Sequence, residues 1–342
     1  MSRKGAVTIK DIAKIAKVDF STVSRALNNH PYIKADTKDK IFRIATKYNY
    51  VPNTAAMSLK NKNTQTLGLV LHTITNPFWS ELLERIEIAM YRSKQEMVLL
   101  FSGQQEDREE TYIEQLMNHK MDGAIITLMP TGDSDRFVKS LEGLKKNKFP
   151  FVLMFGDIGI ECNCVSFNHY KGQYLLTEHL IKTGHRNICY ARGSLLSIPN
   201  IQKIDGFKKA LEANNIEARP EVIFPDNMID ISSIIDRVLG LNPRPTAIMA
   251  ADDNMAMFYW RELASRGIRV PEDIAIVGFY DIAYLKLIKF PLTTIRIPAD
   301  IMANDSVSLL IEQIKNPDMK YKKIVIEPEL IVRESCGIKK VV

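Results

Sequence analysis

Phe20, Ser21 and Arg25 are side chains of the types that read base edges in a DNA groove. An Arg fork can give two bonds to guanine O6 and N7, a Ser hydroxyl can bond several base edges, and a Phe ring can rest on a thymine methyl. Ser21 and Arg25 are four residues apart, the spacing of neighbours on one helix face, with Phe20 beside them. Thr8, Thr22, Ser24 and Asn28 are short polar side chains of the kind that hold phosphate oxygens and fix register without reading sequence.

Helices must present these groups. Thr8-Ile9-Lys10-Asp11 has the form of a capping box, with Asp in place of the longer Glu, which makes the reciprocal bond less secure. Ile9, Ile12, Ala13 and Ala16 then give one apolar face of a helix of about nine residues. Lys17 and Val18 break that pattern, and Asp19 is a good N-cap for a second helix whose inward stripe is Val23, Ala26 and Leu27. A third helix is predicted from about Asp36 to Tyr48, with Ile41, Ile44 and Ala45 inward. Two short helices joined by a tight turn, with hydroxyls and an Arg on the exposed side of the second, fit helix-turn-helix geometry.

Charge agrees with that reading. Residues 1–62 hold thirteen Lys and Arg against four Asp, a net +9, while the remainder holds 33 basic and 36 acidic residues, a net −3. A basic head on a faintly acidic body is the electrostatic footprint of a nucleic-acid binder.

From Thr66 onward apolar runs alternate with helical stretches. Leu67–Leu71, Met97–Phe101, Gly123–Ile126, Phe151–Met154, Ile188–Tyr190, Ala247–Ala250 and Ile274–Val277 read as buried strands, and Trp79–Ser93 and Arg108–His119 as helices. Alternation of this kind predicts a parallel α/β body, two doubly wound lobes whose ligand would sit beyond the carboxyl ends of the strands.

Thr8–Ala13, Ser21–Asn28, Tyr50-Val51-Pro52-Asn53 and Ser58-Leu59-Lys60 resemble the head and hinge of the LacI/GalR family of bacterial transcription regulators. The resemblance continues through Asn76-Pro77-Phe78-Trp79, Asp205-Gly206-Phe207, Gly278-Phe279-Tyr280-Asp281 and Glu329–Ser335, blocks shared with periplasmic sugar-binding proteins. It implies an all-α helix-turn-helix head at 1–51 and a hinge helix and linker at 52–62. It further implies a body of periplasmic-binding-protein type, with one lobe at 63–166 completed by 295–325 and the other at 167–294 completed by 326–342. In this family the hinge folds on operator DNA and a leucine wedges into a central minor-groove step. By motif that leucine is Leu59, with Asn53, Ala56 and Lys60 as the other hinge residues; Met57 stands where many members carry Arg. A wedge of this kind partly unstacks a step and kinks the duplex. Lys17 stands where the family often has Gly, a position that favours positive φ, and Asp19 where it often has Ser.

The effector residues implied are Asn76, Phe78, Trp79, Phe155, Lys203, Asp253 and Tyr280. Phe78 and Trp79 form an aromatic wall suited to a sugar or base face. Here the chain departs from the sugar-binding members: Phe155-Gly156 replaces an Asp-Arg pair, Lys203 an Arg, Asp252 an Asn and Tyr280 an Asp. Lys does not reproduce a bidentate Arg fork, so a neutral sugar should not be assumed as the ligand.

Other classes fit poorly. The chain has no phosphate-binding loop of P-loop spacing and no G-x-S-x-G elbow, and His72, His169, His179 and His185 lack metal-ligand spacing. Cys162, Cys164, Cys189 and Cys336 read as reduced thiols, and no apolar run approaches the ~20 residues that span a bilayer. No catalytic residue, metal or cofactor is expected. The expectation is a cytoplasmic homodimer, a repressor on a near-palindromic operator, controlled by a sugar, sugar derivative or other metabolite. The rival is a ligand-binding protein whose head serves protein contacts, which a salt-dependent DNA-binding assay separates.

Overall fold

The computed structural model describes residues 7–50, 64–103, 105–118, 121–127, 135–156, 158–193, 197–226 and 230–337. The chain divides into two compact units, Met1–Thr64 and Gln65–Val342. The hinge residues Asn53, Ala56, Leu59 and Lys60 lie outside the described residues.

The first unit holds α1 (Ile9–Ala16), α2 (Phe20–Leu27) and α3 (Ala35–Lys47). Ile12, Ala13 and Ala16 of α1, Val23 and Ala26 of α2 and Ile41 of α3 meet in one small core, the 3- and 4-spaced apolar positions of three short amphipathic helices. The third helix starts at Ala35, one residue before the expected start, and Lys34 before it makes no side-chain cap.

In the second unit, β1 (Thr66–Leu71), β2 (Glu96–Phe101), β3 (Gly123–Ile126), β4 (Phe151–Met154), β5 (Asn163–Phe167) and β11 (Lys323–Ile326) form a six-stranded sheet in the order β11-β5-β4-β3-β1-β2. Every neighbouring pair is parallel. The helices α4 (Pro77–Arg92), α5 (Glu106–Asn118), α6 (Asp135–Lys146) and α12 (Ala299–Lys315) belong to it; α12 packs on β3, β4 and β5 and against α4.

A second parallel sheet contains β6 (Ile188–Gly193), β7 (Ile223–Asp226), β8 (Ala247–Ala250) and β9 (Ala275–Val277) in the order β7-β6-β8-β9. With it go α7 (His169–Lys182), α8 (Ile198–Ala213), α9 (Ile231–Gly240), α10 (Asp253–Ser265) and the short α11 (Tyr284–Leu287). A two-stranded antiparallel ribbon, β10 (Thr294–Arg296) with β12 (Glu329–Ile331), lies on the connections between the sheets. β5 runs to Phe167 and β11 to Ile326, each one residue past the lobe limits expected at 166 and 325. The strands β3, β4 and β8 are buried along their whole length, as parallel strands covered on both faces must be.

Candidate DNA-reading helix and effector cleft

In the head, the capping box expected at Thr8 forms in full. The Thr8 N–H donates to Asp11 Oδ2 at 2.9 Å, and the Asp11 N–H donates to Thr8 Oγ1 at 3.3 Å. The Thr8 hydroxyl also donates to the Asp11 carboxylate at 2.6 Å, so Asp reaches where the longer Glu is usual. These bonds hold the Asp11 carboxyl below the usual carboxylate range. Lys17 ends α1 at φ 55°, the left-handed conformation that a glycine would adopt without steric cost.

Asp19 caps α2 by accepting the Ser21 N–H at 2.8 Å, and the Ser21 side chain together with that bond lowers its pKa. The cap fixes where α2 begins, and the buried Val23 and Ala26 fix which side faces in. Phe20 is left 53% exposed and Arg25 exposed, with Ser21, Thr22 and Ser24 half-buried between them. The exposed Asn28 donates from Nδ2 to the Ser24 carbonyl at 2.9 Å, which uses one of its two amide protons.

The cleft lies at the carboxyl ends of the two parallel sheets, where ligands bind in such folds. Asn76 follows β1 and caps α4, accepting the Phe78 N–H at 3.0 Å. Asp252 follows β8 and caps α10, accepting the Met255 N–H at 2.9 Å. These two N-caps meet: Asn76 Nδ2 donates to Asp252 Oδ2 at 2.9 Å, joining elements of the two sheets. Burial raises the Asp252 pKa.

Above that bond sits an aromatic cluster. Phe78 stacks on Tyr280, with centroids 4.4 Å apart and planes within 15°. Trp79 packs against Phe155 at 4.6 Å and against His72 at 4.2 Å. Lys203 is 1% exposed; its Nζ donates to the Ala251 carbonyl at 3.1 Å and stands 3.8 Å from the Phe279 centroid and 4.8 Å from that of Tyr280. Burial lowers its pKa to about 8 against the opposing pull of Asp252 and Asp253. The rings replace part of the lost hydration of the ammonium. The hydroxyl of the fully buried Tyr190 has no hydrogen-bond partner.

Two corners of the cleft are strained. Phe155 has φ 72° and Tyr280 φ 112°, and Asp281 follows at φ 57°. Non-glycine residues in such conformations cost of order 1–3 kcal/mol each and persist where the surroundings dictate them. Here the surroundings are visible: the Tyr280 N–H donates to the Ile295 carbonyl at 2.7 Å, and the Asp281 carboxylate accepts from Arg296 Nε at 2.8 Å and from Arg333 at 2.6 Å.

Asp253, expected at the ligand, is placed elsewhere. It is fully buried, accepting from Thr294 Oγ1 at 2.6 Å and from the Ile282 N–H at 2.9 Å. Desolvation raises its pKa to about 7. Gly278 makes room for it, since a Cβ there would run into the Asp253 carboxylate and Leu292. The adjacent Asp252 occupies the cleft instead, because an N-cap and the first helical residue point in different directions. The remaining expected residues, Asn76, Phe78, Trp79, Phe155, Lys203 and Tyr280, come together in one cluster. Asp281, Arg333 and Tyr190 lay within blocks and a strand legible in the sequence, but the Arg296–Asp281–Arg333 clamp and the unpartnered Tyr190 hydroxyl were not, since they arise only through long-range packing.

Residues 8–53 match the family described as bacterial regulatory proteins, lacI family, and residues 177–336 match the periplasmic binding protein-like domain. The HTH-type transcriptional repressor PurR of Mannheimia succiniciproducens is 30% identical over 96% of this chain and 98% of its own length. This chain belongs to the lacI family. The ribose operon repressor of Haemophilus influenzae is likewise 30% identical over 96% of this chain and 98% of its own length. Among solved structures, the lac repressor dimer bound to operator and the anti-inducer ONPF has a TM-score of 0.85 and 25% identity. It covers 97% of this chain and 99% of its own. These lacI-family relatives are named as repressors, not as enzymes. Among the described residues, no group of three His, Cys, Asp or Glu is placed to hold a metal ion, and no helix is long and apolar enough to cross a membrane.

Proposed function

We propose that this lacI-family chain is a sequence-specific transcriptional repressor that works as a homodimer in the cytoplasm. Each copy places one head in one half-site of a near-palindromic operator, and a small-molecule effector acts at the cleft of the body. The observation that carries the reading is the face of α2: Phe20 and Arg25 stand out to solvent, Ser21 lies beside them, and the apolar side of the same helix is buried.

In this reading Phe20, Ser21 and Arg25 contact base edges, while Thr8, Thr22, Ser24 and Asn28 hold phosphates. Residues 52–62 form the hinge, in which Leu59 is the minor-groove wedge and Asn53, Ala56 and Lys60 support it. Asn76, Phe78, Trp79, Phe155, Lys203 and Tyr280 line the effector cleft, and Asp252 rather than Asp253 supplies its carboxylate. A dimer follows from the size of one head, which makes too few contacts for useful specificity. Its relatives support the same reading: the transcriptional repressor PurR, the ribose operon repressor, and a lac repressor dimer bound to operator.

The test is selection of genomic fragments by the purified full-length chain, followed by sequencing. A recurring two-fold site upstream of a small set of genes is the expected result. Recovery of unrelated fragments in proportion to their length would overturn the reading.

A further inference from the structure

The cleft residues satisfy one another. Phe78 comes from α4 beside the six-stranded sheet, Tyr280 from the segment that follows β9 of the four-stranded sheet, and their parallel rings touch. The face of Phe78 on which a bound ring would lie is therefore already covered by a ring of this chain. Lys203, a cation of the cleft, points its ammonium at Phe279 and Tyr280. Asn76 and Asp252, the N-caps of α4 and α10, bond to each other.

Tyr280 is not there by chance packing. Its backbone is held at positive φ by the bond from its N–H to Ile295, and the next residue is clamped by Arg296 of β10 and by Arg333, just beyond β12. A strained conformation of this kind survives only where several contacts dictate it. The strained backbone, the two-Arg clamp on the next residue and the ring stack all place the same ring in the same space.

We propose that Tyr280 is a built-in occupant of the effector cleft: its ring takes the place of a stacked ligand and holds the two sheets closed without one. This rests on the reading of the cleft as the effector site. It makes Tyr280 the residue that decides what may enter. A sugar such as ribose or cellobiose would have to part the Phe78–Tyr280 stack and the Asn76–Asp252 bond before it made any contact of its own, so neither binds while the ring is in place. Population of the closed body then needs no small molecule, in contrast to a clamp whose two halves are joined only through a ligand.

Trp79 reports on this cluster, since it is buried within it, and the chain has two tryptophans in all, the other being Trp260. The experiment uses the full-length chain carrying Trp260→Phe and measures iodide quenching of Trp79, with no DNA present. Tyr280→Gly removes the ring and also relieves the positive φ, so the backbone keeps its path. The expected results are a shielded Trp79 in the parent, a quenching constant that rises severalfold in Tyr280→Gly, and its return toward the parent value when p-cresol is added. Tyr280→Phe, which keeps the ring, should match the parent, and ribose or cellobiose should leave the parent unchanged.

Equal quenching in the parent and Tyr280→Gly would overturn the proposal. So would further shielding of the parent by either sugar, an observation that requires no variant at this position. Because closure is read without DNA, a failure here is distinct from a failure of operator binding.

Discussion

Arg25 stands exposed at the last turn of α2, so its removal should leave the small core of Ile12, Val23, Ala26 and Ile41 intact. Arg25→Ala is expected to cost about 1–3 kcal/mol on the preferred site and to relax the preference at one base position. Equal losses on specific and random duplexes, read by fluorescence anisotropy, would assign Arg25 to the phosphates instead. In the body, the buried His169 is held to a pKa of about 3 by burial and by the neighbouring Lys203. Its native value lies below the unfolded one, so its stabilising neutral form is fully present above pH 6.5 and the stability is lost as the pH falls below that. Compared with His169→Phe, the parent should lose up to about 1.4 kcal/mol for each pH unit below 6.5. Urea unfolding at pH 7 and pH 5 measures this, and parallel curves for the two proteins would show that His169 does not carry it. At this scale the sequence was legible for residue types and less so for directions. It marked Phe78, Lys203 and Tyr280, yet could not say that Asp252 faces the cleft while Asp253 turns inward, because that depends on which of two neighbours is the cap.

The elements that could be read were those whose signal is local. Caps at Thr8 and Asp19 and 3- and 4-spaced apolar residues located α1 and α2 closely, and continuous apolar runs located β1, β3, β4 and β8. β5, β7 and β11 escaped because their sequences, such as Asn163-Cys-Val-Ser-Phe and Lys323-Ile-Val-Ile, are short, mixed or partly exposed; what makes them strands is a parallel neighbour far away in the chain. The hinge is the element on which operator binding should depend most sharply. In the proposed reading, the nine residues from Pro52 to Lys60 are too few to hold a helix alone in water, so such a helix would fold on DNA contact. Leu59→Ala is expected to weaken operator affinity and to reduce the bend of the duplex. An unchanged bend angle in circular-permutation gels would remove the wedge from the account.

Over the whole molecule, charge and architecture divide the labour. The first 62 residues carry net +9 and the remainder net −3, so attraction to the duplex is concentrated in the head rather than in the body. Composition alone shows that division, whereas the pairing of two copies and the state of the cleft are properties of packing that composition does not encode. Repression by a dimer depends on two heads reading one site. Titrating a labelled duplex bearing the recovered two-fold site, and a scrambled duplex of the same length and composition, at one fixed salt concentration tests it most directly. The account requires the recovered site to bind on the order of a thousandfold or more tighter than the scrambled one and to saturate at two chains per duplex. Similar affinities for both, or saturation at one chain per duplex, would contradict it.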